Sequence, residues 1–298
     1  MAYKDMKTCS FITLGCKVNQ YETQALRESL AAKGFIETSP EQAADLYVIN
    51  TCTVTSVSDE KSRQYIRKVR RKNPQAMVVV TGCYAEADTE SIKRMEGVDY
   101  VITKAEESQL AEIVSRDMVH RALTQETNIL ERELNNDENS SLFNLLPHRG
   151  GETRRMPILP SHGVRGKGEG KKVFHNGRSL EITDDPIYNL KISRFEGHTK
   201  AFLKIEDGCD MYCSYCIIPY VRGGIKSRRP EDIEEEAKRL IHNGYKEIVL
   251  TGIHLGAYGK DTQENDRLLD IISMLSDLPG LERLRLSSIE VKIGRAHV

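Results

Sequence analysis

The chain has no long apolar run. It opens Met-Ala-Tyr-Lys-Asp-Met-Lys, already charged, with no hydrophobic stretch behind it. That pattern argues against a secretory leader and a membrane-spanning helix, and it predicts a cytoplasmic protein. Net charge is also missing, since 43 Lys and Arg stand against 44 Asp and Glu, leaving -1. No strong overall field draws the chain to nucleic acid, so any basic surface must be local. Disulfides do not persist in a reducing compartment, so the seven cysteines need another reason. What is present is ordinary for a globular chain. The 298 residues suggest about two domains. A hydrophobic content of 39% with 29% charged residues supports a buried core.

The first third reads as alternating strands and helices. Strands are expected over Ser10–Leu14, Leu46–Asn50, Met77–Thr81 and Val98–Thr103. A helix should follow the first strand, with Asn19 as its cap, Glu22 as the capping-box partner and Gly34 as its stop. A second helix is expected over Ser58–Lys72. Alternation of this kind implies a parallel α/β sheet. Cys16, Cys52 and Cys83 each fall just past a strand end. In a parallel sheet those ends share one edge, where such folds place ligands, so three thiols far apart in sequence should converge. Cys9 lies inside a strand and reads as core.

Beyond about Thr124 the pattern fades. Glu126–Ser141 is polar and acidic. Arg149–Arg178 holds eight Lys and Arg, two Glu and seven Gly, and reads as a basic, flexible linker or insertion. Regular structure resumes with a strand at Ala201–Glu206. A helix at Pro230–His242, a strand at Glu247–Thr251, a helix at Leu268–Leu278 and a strand at Arg283–Ser287 continue it. This βαβαβ series begins a second parallel sheet or barrel. Three strands cannot close a barrel. The last residues, Ile293 to Val298, do not continue the pattern and resemble a translated sequencing adapter.

The strongest local signal is Asp207-Gly208-Cys209-Asp210-Met211-Tyr212-Cys213-Ser214-Tyr215-Cys216. Three thiolates from one short loop can hold three irons of a 4Fe–4S cluster, which normally takes four. The missing fourth leaves one iron open, and an open position marks a catalytic metal site. Structural zinc is the alternative. It wants a closed set of four ligands, and the loop contains no histidine.

The C-x3-C-x2-C spacing with an aromatic before the third cysteine resembles the signature of radical S-adenosylmethionine (SAM) enzymes. Ile217-Ile218-Pro219 and Arg222-Gly223 resemble the methylthiotransferase branch. The segments Thr13 to Glu22, Asn50 to Val54 and Thr81 to Tyr84 resemble that family's three N-terminal cysteine segments. Gly15-Cys16-Lys17-Val18-Asn19 and Ser287-Ser288-Ile289-Glu290 resemble the branch acting on threonylcarbamoyladenosine in tRNA. The resemblance covers about residues 8–118 and 200–290.

This resemblance implies a fold, cofactors and a reaction. The fold is α/β: an N-terminal parallel α/β domain, then the first part of a radical-SAM (βα) partial barrel. Cys209, Cys213 and Cys216 would ligate one 4Fe–4S cluster, whose open iron chelates SAM. Cys16, Cys52 and Cys83 would carry a second cluster that handles sulfur. Tyr215 would pack near the cofactor's adenine, with core packing as the alternative reading. Gly252 would offer it a backbone contact, or simply make a turn. The reaction would be methylthiolation at C2 of the modified adenosine at position 37 of tRNA. An aromatic C–H is too weakly acidic for positioned proton transfer, which is why a radical generator is needed. Isopentenyladenosine or a ribosomal protein is the alternative substrate. An iron–sulfur electron-transfer protein is the alternative of another class.

An RNA substrate calls for local basic surface. Lys61–Lys72 has seven Lys and Arg and no acid. Tyr65, Ile66 and Val69 form its apolar stripe, leaving Arg63, Arg67, Arg70 and Arg71 for phosphate contact or for a solvated face. Arg222, Lys226, Arg228 and Arg229 form a second candidate patch. The expected partners are tRNA and an electron donor, with no membrane and no stable protein partner. Expected boundaries are an N-terminal domain over 7–118, a linker over 119–194, an incomplete radical SAM domain over 195–292 and an artefactual tail over 293–298. The N-terminal domain is expected to fold alone and the chain to be a poor enzyme as it stands.

Overall fold

A computed structural model describes residues 7–121, 124, 172–175, 178–181, 190–262, 267–287 and 289. The chain divides into two compact units, one of residues 1–112 with 182–298 and one of 113–181. No helix among the described residues is long and apolar enough to cross a membrane.

The first unit holds two parallel sheets. The N-terminal sheet comprises β1 (Thr8–Thr13), β2 (Ile36–Glu37), β3 (Leu46–Thr51), β4 (Met77–Gly82) and β5 (Tyr100–Val101), in the order β2-β1-β3-β4-β5. All its pairings are parallel. β3 and β4 are buried along their whole length, as their unbroken Val, Ile and Leu runs require of strands covered on both faces. Helix α2 (Ser56–Lys72) turns Ile66 and Val69 onto Tyr47, Ile49, Val78 and Val80. Thr55 caps it by accepting the Ser58 N–H, and Arg70, Arg71 and Lys72 in its last turn suit the negative end of its dipole.

Helix α1 (Lys17–Ala32) begins two residues before the expected cap. Cys16 takes the cap position, with no side-chain cap bond. Asn19 and Glu22 lie inside the helix and are buried. The capping box is therefore not formed, because both side chains have stronger tertiary partners. α1 packs against β1 on one side and on the other against β8 (Ala201–Lys204), the first strand of the second sheet. Along this contact Glu28 accepts the Ser193 N–H at 2.8 Å and the Arg194 N–H at 3.0 Å.

Short helices α3 (Cys83–Ala87) and α4 (Thr89–Lys93) follow β4, and α5 (residues 110–121) closes this part of the chain. In the 113–181 unit, β6 (Lys172–His175) and β7 (Arg178–Glu181) form an antiparallel pair. This pair lies at the end of the stretch read as a linker or insertion. The Asn-Gly dipeptide between these strands is a hairpin signal that the surrounding glycines masked in the sequence. The acidic stretch 126–141, residues 149–171 and the final residues 290–298 lie outside the described residues.

The second sheet has the order β12-β11-β8, all parallel, with β11 (Glu247–Thr251) in the middle and β12 (Arg283–Leu286) outside. Helices α7 (Pro230–His242) and α8 (Leu268–Ser276) make its crossovers. α7 starts with Pro230, carries Glu231 and Asp232 in its first turn and buries Ile233, Ala237 and Leu240 along one stripe. Between β8 and α7, β9 (Glu206–Asp207) pairs antiparallel with β10 (Lys226–Ser227). That pairing pinches the cysteine segment, with its short helix α6 (Ile218–Val221), into a closed loop.

Candidate active site

The loop leaves β9 at Gly208, whose φ is +79° and where a Cβ would lie 2.0 Å from the Gly224 carbonyl oxygen. Only glycine lets the two ends of the loop approach so closely. The Cys209 N–H then donates to the Gly223 carbonyl at 3.0 Å, closing the neck, and the Cys216 N–H donates to Cys213. Cys209, Cys213 and Cys216 are half-buried and line one open cavity of about 300 Å³ with Met211, Ile218, Ile253, His254 and Ile289. No fourth cysteine lines it. His254 Nδ1 lies 3.8 Å from Cys209 Sγ.

Two neighbouring expectations change. Tyr215 is 87% exposed, so it is no core filler, and it is not among the residues that line the cavity. Gly252 is absent from the lining, where Ile253 and His254 stand instead. A Cβ at Gly252 would come within 2.5 Å of Glu206 Oε2, so the glycine makes room for that carboxyl. Glu206 was not singled out in the sequence. It is buried, its Oε2 accepts the His254 N–H at 2.7 Å, and its Oε1 has no partner. Burial pushes its carboxyl up to about 8.

Cys16, Cys52 and Cys83 follow β1, β3 and β4, three adjacent strands. Cys16 is exposed, and Cys52 and Cys83 are buried. Gly15, with φ +104°, lies against Cys52, where a Cβ would stand 3.2 Å from its Sγ. Cys16 Sγ is 3.4 Å from Asn19 Oδ1. Asn19 Oδ1 also accepts from Arg222 Nη2 at 3.0 Å, and Arg222 Nε donates to Cys83 Sγ at 3.3 Å. The three thiols thus share one neighbourhood. Cys9 is buried in β1, and burial raises its thiol to about 12, as befits a core residue.

Comparison with known proteins fits this geometry. Residues 8–103 match the Uncharacterized protein family UPF0004, and residues 203–294 match the Radical SAM superfamily. The chain is 35% identical over 285 residues to the threonylcarbamoyladenosine tRNA methylthiotransferase MtaB of Bacillus subtilis, covering 96% of this chain and 52% of that protein. It is 34% identical over 283 residues to the Aquifex aeolicus protein of the same name, covering 95% and 56%. The chain is similar to the MtaB-like radical SAM methylthiotransferases. It spans about half the length of the curated relatives it matches. Among solved structures, the radical SAM methyltransferase TsrM of Kitasatospora setae aligns with a TM-score of 0.49 and 15% identity, covering 94% of this chain and 53% of that one.

Radical SAM enzymes use SAM and a 4Fe–4S cluster, and the residues here suit both. Three soft thiol donors on one loop, no fourth cysteine and an open, largely apolar cavity match a cluster with one free iron. In the N-terminal set, Gly15 leaves beside Cys52 the space that a side chain would fill.

The chain carries a buried charge network between its two sheets. Glu22 accepts from Lys104 Nζ at 2.6 Å, Lys204 Nζ at 3.0 Å and Arg222 Nη1 at 3.0 Å. Asp207 pairs with Lys204 at 2.6 Å and Arg222 at 2.9 Å, and Glu107 pairs with Lys104 at 2.9 Å. Burial works against charge on Glu22, yet Arg222, Lys104 and Lys204 hold its carboxyl well below the usual range. Burial likewise opposes charge on Asp207, and Arg222 and Lys204 hold it at about 2. Beside this network, Arg228 Nη2 pairs with Glu236 at 2.7 Å, and the Tyr21 hydroxyl donates to Glu236 at 2.8 Å.

These contacts correct the second basic patch. Arg222 and Arg228 are buried and spent on carboxylates, so neither faces an RNA. Arg70 is also withdrawn. It donates to the carbonyls of Gly97, Pro74 and Ala76 and pairs with Asp99 at 2.5 Å, which clamps the end of α2 to the sheet. Arg63 donates to the Tyr84 hydroxyl at 2.9 Å. Arg67 and Arg71 remain exposed, with Lys61 and Lys68 on the same helix.

Proposed function

We propose that the protein methylthiolates tRNA at C2 of N6-threonylcarbamoyladenosine-37, next to the anticodon. The observation that carries this reading is the Cys209, Cys213 and Cys216 set. It lines one cavity with no fourth thiolate and is hung at the carboxyl end of the first strand of a βαβαβ sheet. In this reading those thiolates hold a 4Fe–4S cluster with an open iron, and Cys16, Cys52 and Cys83 hold a second cluster. When bound, the reduced cluster and SAM supply a carbon-centred radical able to take hydrogen from a C–H bond. The chain's own residues do the rest. Ile218, Ile253 and Ile289 give the cavity an apolar lining, and the Gly208 neck fixes the loop. Arg67, Arg71, Lys61 and Lys68 give the RNA backbone a local cationic face on a chain of near-zero net charge. The choice of modified adenosine follows the names of the two relatives and the Gly15-Cys16-Lys17-Val18-Asn19 segment.

The test has two arms. Deleting the gene should remove the methylthio group from threonylcarbamoyladenosine in hydrolysed tRNA, read by mass spectrometry. Loss from isopentenyladenosine instead would transfer the reading to that branch, and no loss from either would overturn it. Anaerobically reconstituted protein should hold two clusters. Replacing Cys209, Cys213 and Cys216 together by Ala should leave about half the iron, and a fall to zero or no fall would contradict two independent sites.

A further inference from the structure

Arg222 stands out because the sequence placed it on the surface and the structure places it at the centre. It is buried, and every nitrogen of its guanidinium is used. Nη1 donates to Glu22 at 3.0 Å and to both Asp207 oxygens, at 2.9 and 3.0 Å. Nη2 donates to Asn19 at 3.0 Å and Glu22 at 3.3 Å, and Nε donates to Cys83 Sγ at 3.3 Å. Such a fork satisfies several acceptors at fixed angles, which an ammonium cannot do. The bond to sulfur is the unusual one. Carboxylates alone would explain a buried arginine, but they would not require one edge of it to face a thiol of the other sheet. Asp207 lies two residues before Cys209, so one planar group joins the neck of the cysteine loop to Cys83.

We infer that Arg222 is a positioning residue that fixes Cys83 and, through its N–H to sulfur bond, raises the reduction potential of the cluster held by Cys16, Cys52 and Cys83. This rests on the proposed function only in taking Cys83 as a cluster ligand. The physics is one of charge. Reduction adds one electron to the cluster, with no bond made or broken at Arg222. A cation donating a hydrogen bond to a ligating sulfur stabilises the more negative, reduced state. The charges around Arg222 do not supply this by themselves. Lys104, Lys204 and Arg222 are balanced by Glu22, Glu107 and Asp207, and among these six only Arg222 is bonded to the sulfur. A purely structural role for Arg222 would move stability and leave the potential alone.

The experiment is a redox titration of the reconstituted 298-residue chain, with dithionite as reductant and EPR as readout. The C209A/C213A/C216A variant separates the clusters, since the signal it keeps belongs to the Cys83 set and the one it loses belongs to the Cys209 set. In R222Q the midpoint of the Cys83-set signal should fall by at least a tenfold change in the one-electron reduction equilibrium, 59 mV. R222Q leaves Glu22 and Asp207 short of a cation, so the charge-balanced E22Q/R222Q is measured beside it and should fall in the same direction. R222K, which keeps the charge and loses the fork, should fall by less. E22Q alone, which removes a negative charge and spares the sulfur bond, should not fall. An unchanged midpoint in E22Q/R222Q with its iron intact overturns the inference and leaves the proposed function standing. A single cluster in the unaltered protein, with no signal left in C209A/C213A/C216A, overturns the inference together with the reading beneath it.

Discussion

At the scale of single residues, Glu22 shows how burial turns a surface-type side chain into a structural centre. Its carboxylate is removed from water, a cost that only close cations can offset. Lys104, Lys204 and Arg222 provide them from three separate segments. Glu22→Gln should therefore lower unfolding stability by about 3–5 kcal/mol, measured by denaturant titration, because it leaves buried positive charge uncompensated. The pH dependence follows from the same bonds. The folded carboxyl sits below its ordinary 4.5, so its contribution is complete above that value and drains away as pH falls through the folded value. The Gln variant should lose less stability than the parent between pH 5 and 3. Equal acid sensitivity in both would show that Glu22 is not the group responsible.

At the scale of elements, α2 separates two jobs that the sequence had merged. Its arginines alternate between clamping and display, since Arg70 is spent on Gly97, Pro74, Ala76 and Asp99 while Arg67 and Arg71 stay outside. Replacing Arg67 and Arg71 by Ala should weaken tRNA binding and flatten its salt dependence by roughly one unit of slope per lost phosphate contact. Arg70→Ala should instead lower the melting temperature. An unchanged salt slope in the first variant would mean that α2 is only a solvated face. The difference was not visible in sequence, because which arginine meets a carbonyl depends on the strand beside it. What local pattern does decide was legible. The apolar runs at 46–50 and 77–81 gave β3 and β4 nearly to the residue, and the start of α7 was plain in Pro230. The cysteines at the ends of β1, β3 and β4 were legible for the same reason, since strand ends follow from periodicity. Asn19 and Glu22 misled because a capping box and a buried polar pair look alike until a partner 200 residues away is known. β2, two residues long, carries too little pattern to detect.

At the scale of the whole molecule, the two sheets behave as one body. α1 is buried on both flanks, and its Tyr21, Glu22 and Glu28 all bond to residues beyond 189. The expectation that the N-terminal domain folds alone must contend with this polar face. Residues 7–121 by themselves would leave Tyr21 without Glu236 and Glu22 with Lys104 as its one remaining cation. We expect that fragment to melt well below the whole chain by circular dichroism, and an equal melting temperature would show that the shared face contributes little. The bond from Arg222 to Cys83 also bears on how the protein is made. The two residues are 139 apart, so at about 5–20 residues per second the ribosome delivers the arginine roughly seven to thirty seconds after the thiol. Through that interval Cys16, Cys52 and Cys83 have all been synthesised without their guanidinium partner. If Cys83 ligates a cluster as proposed, a nascent chain exposes its first site to oxygen and stray metal before its second exists, so slowed translation should lower the iron content of the finished protein.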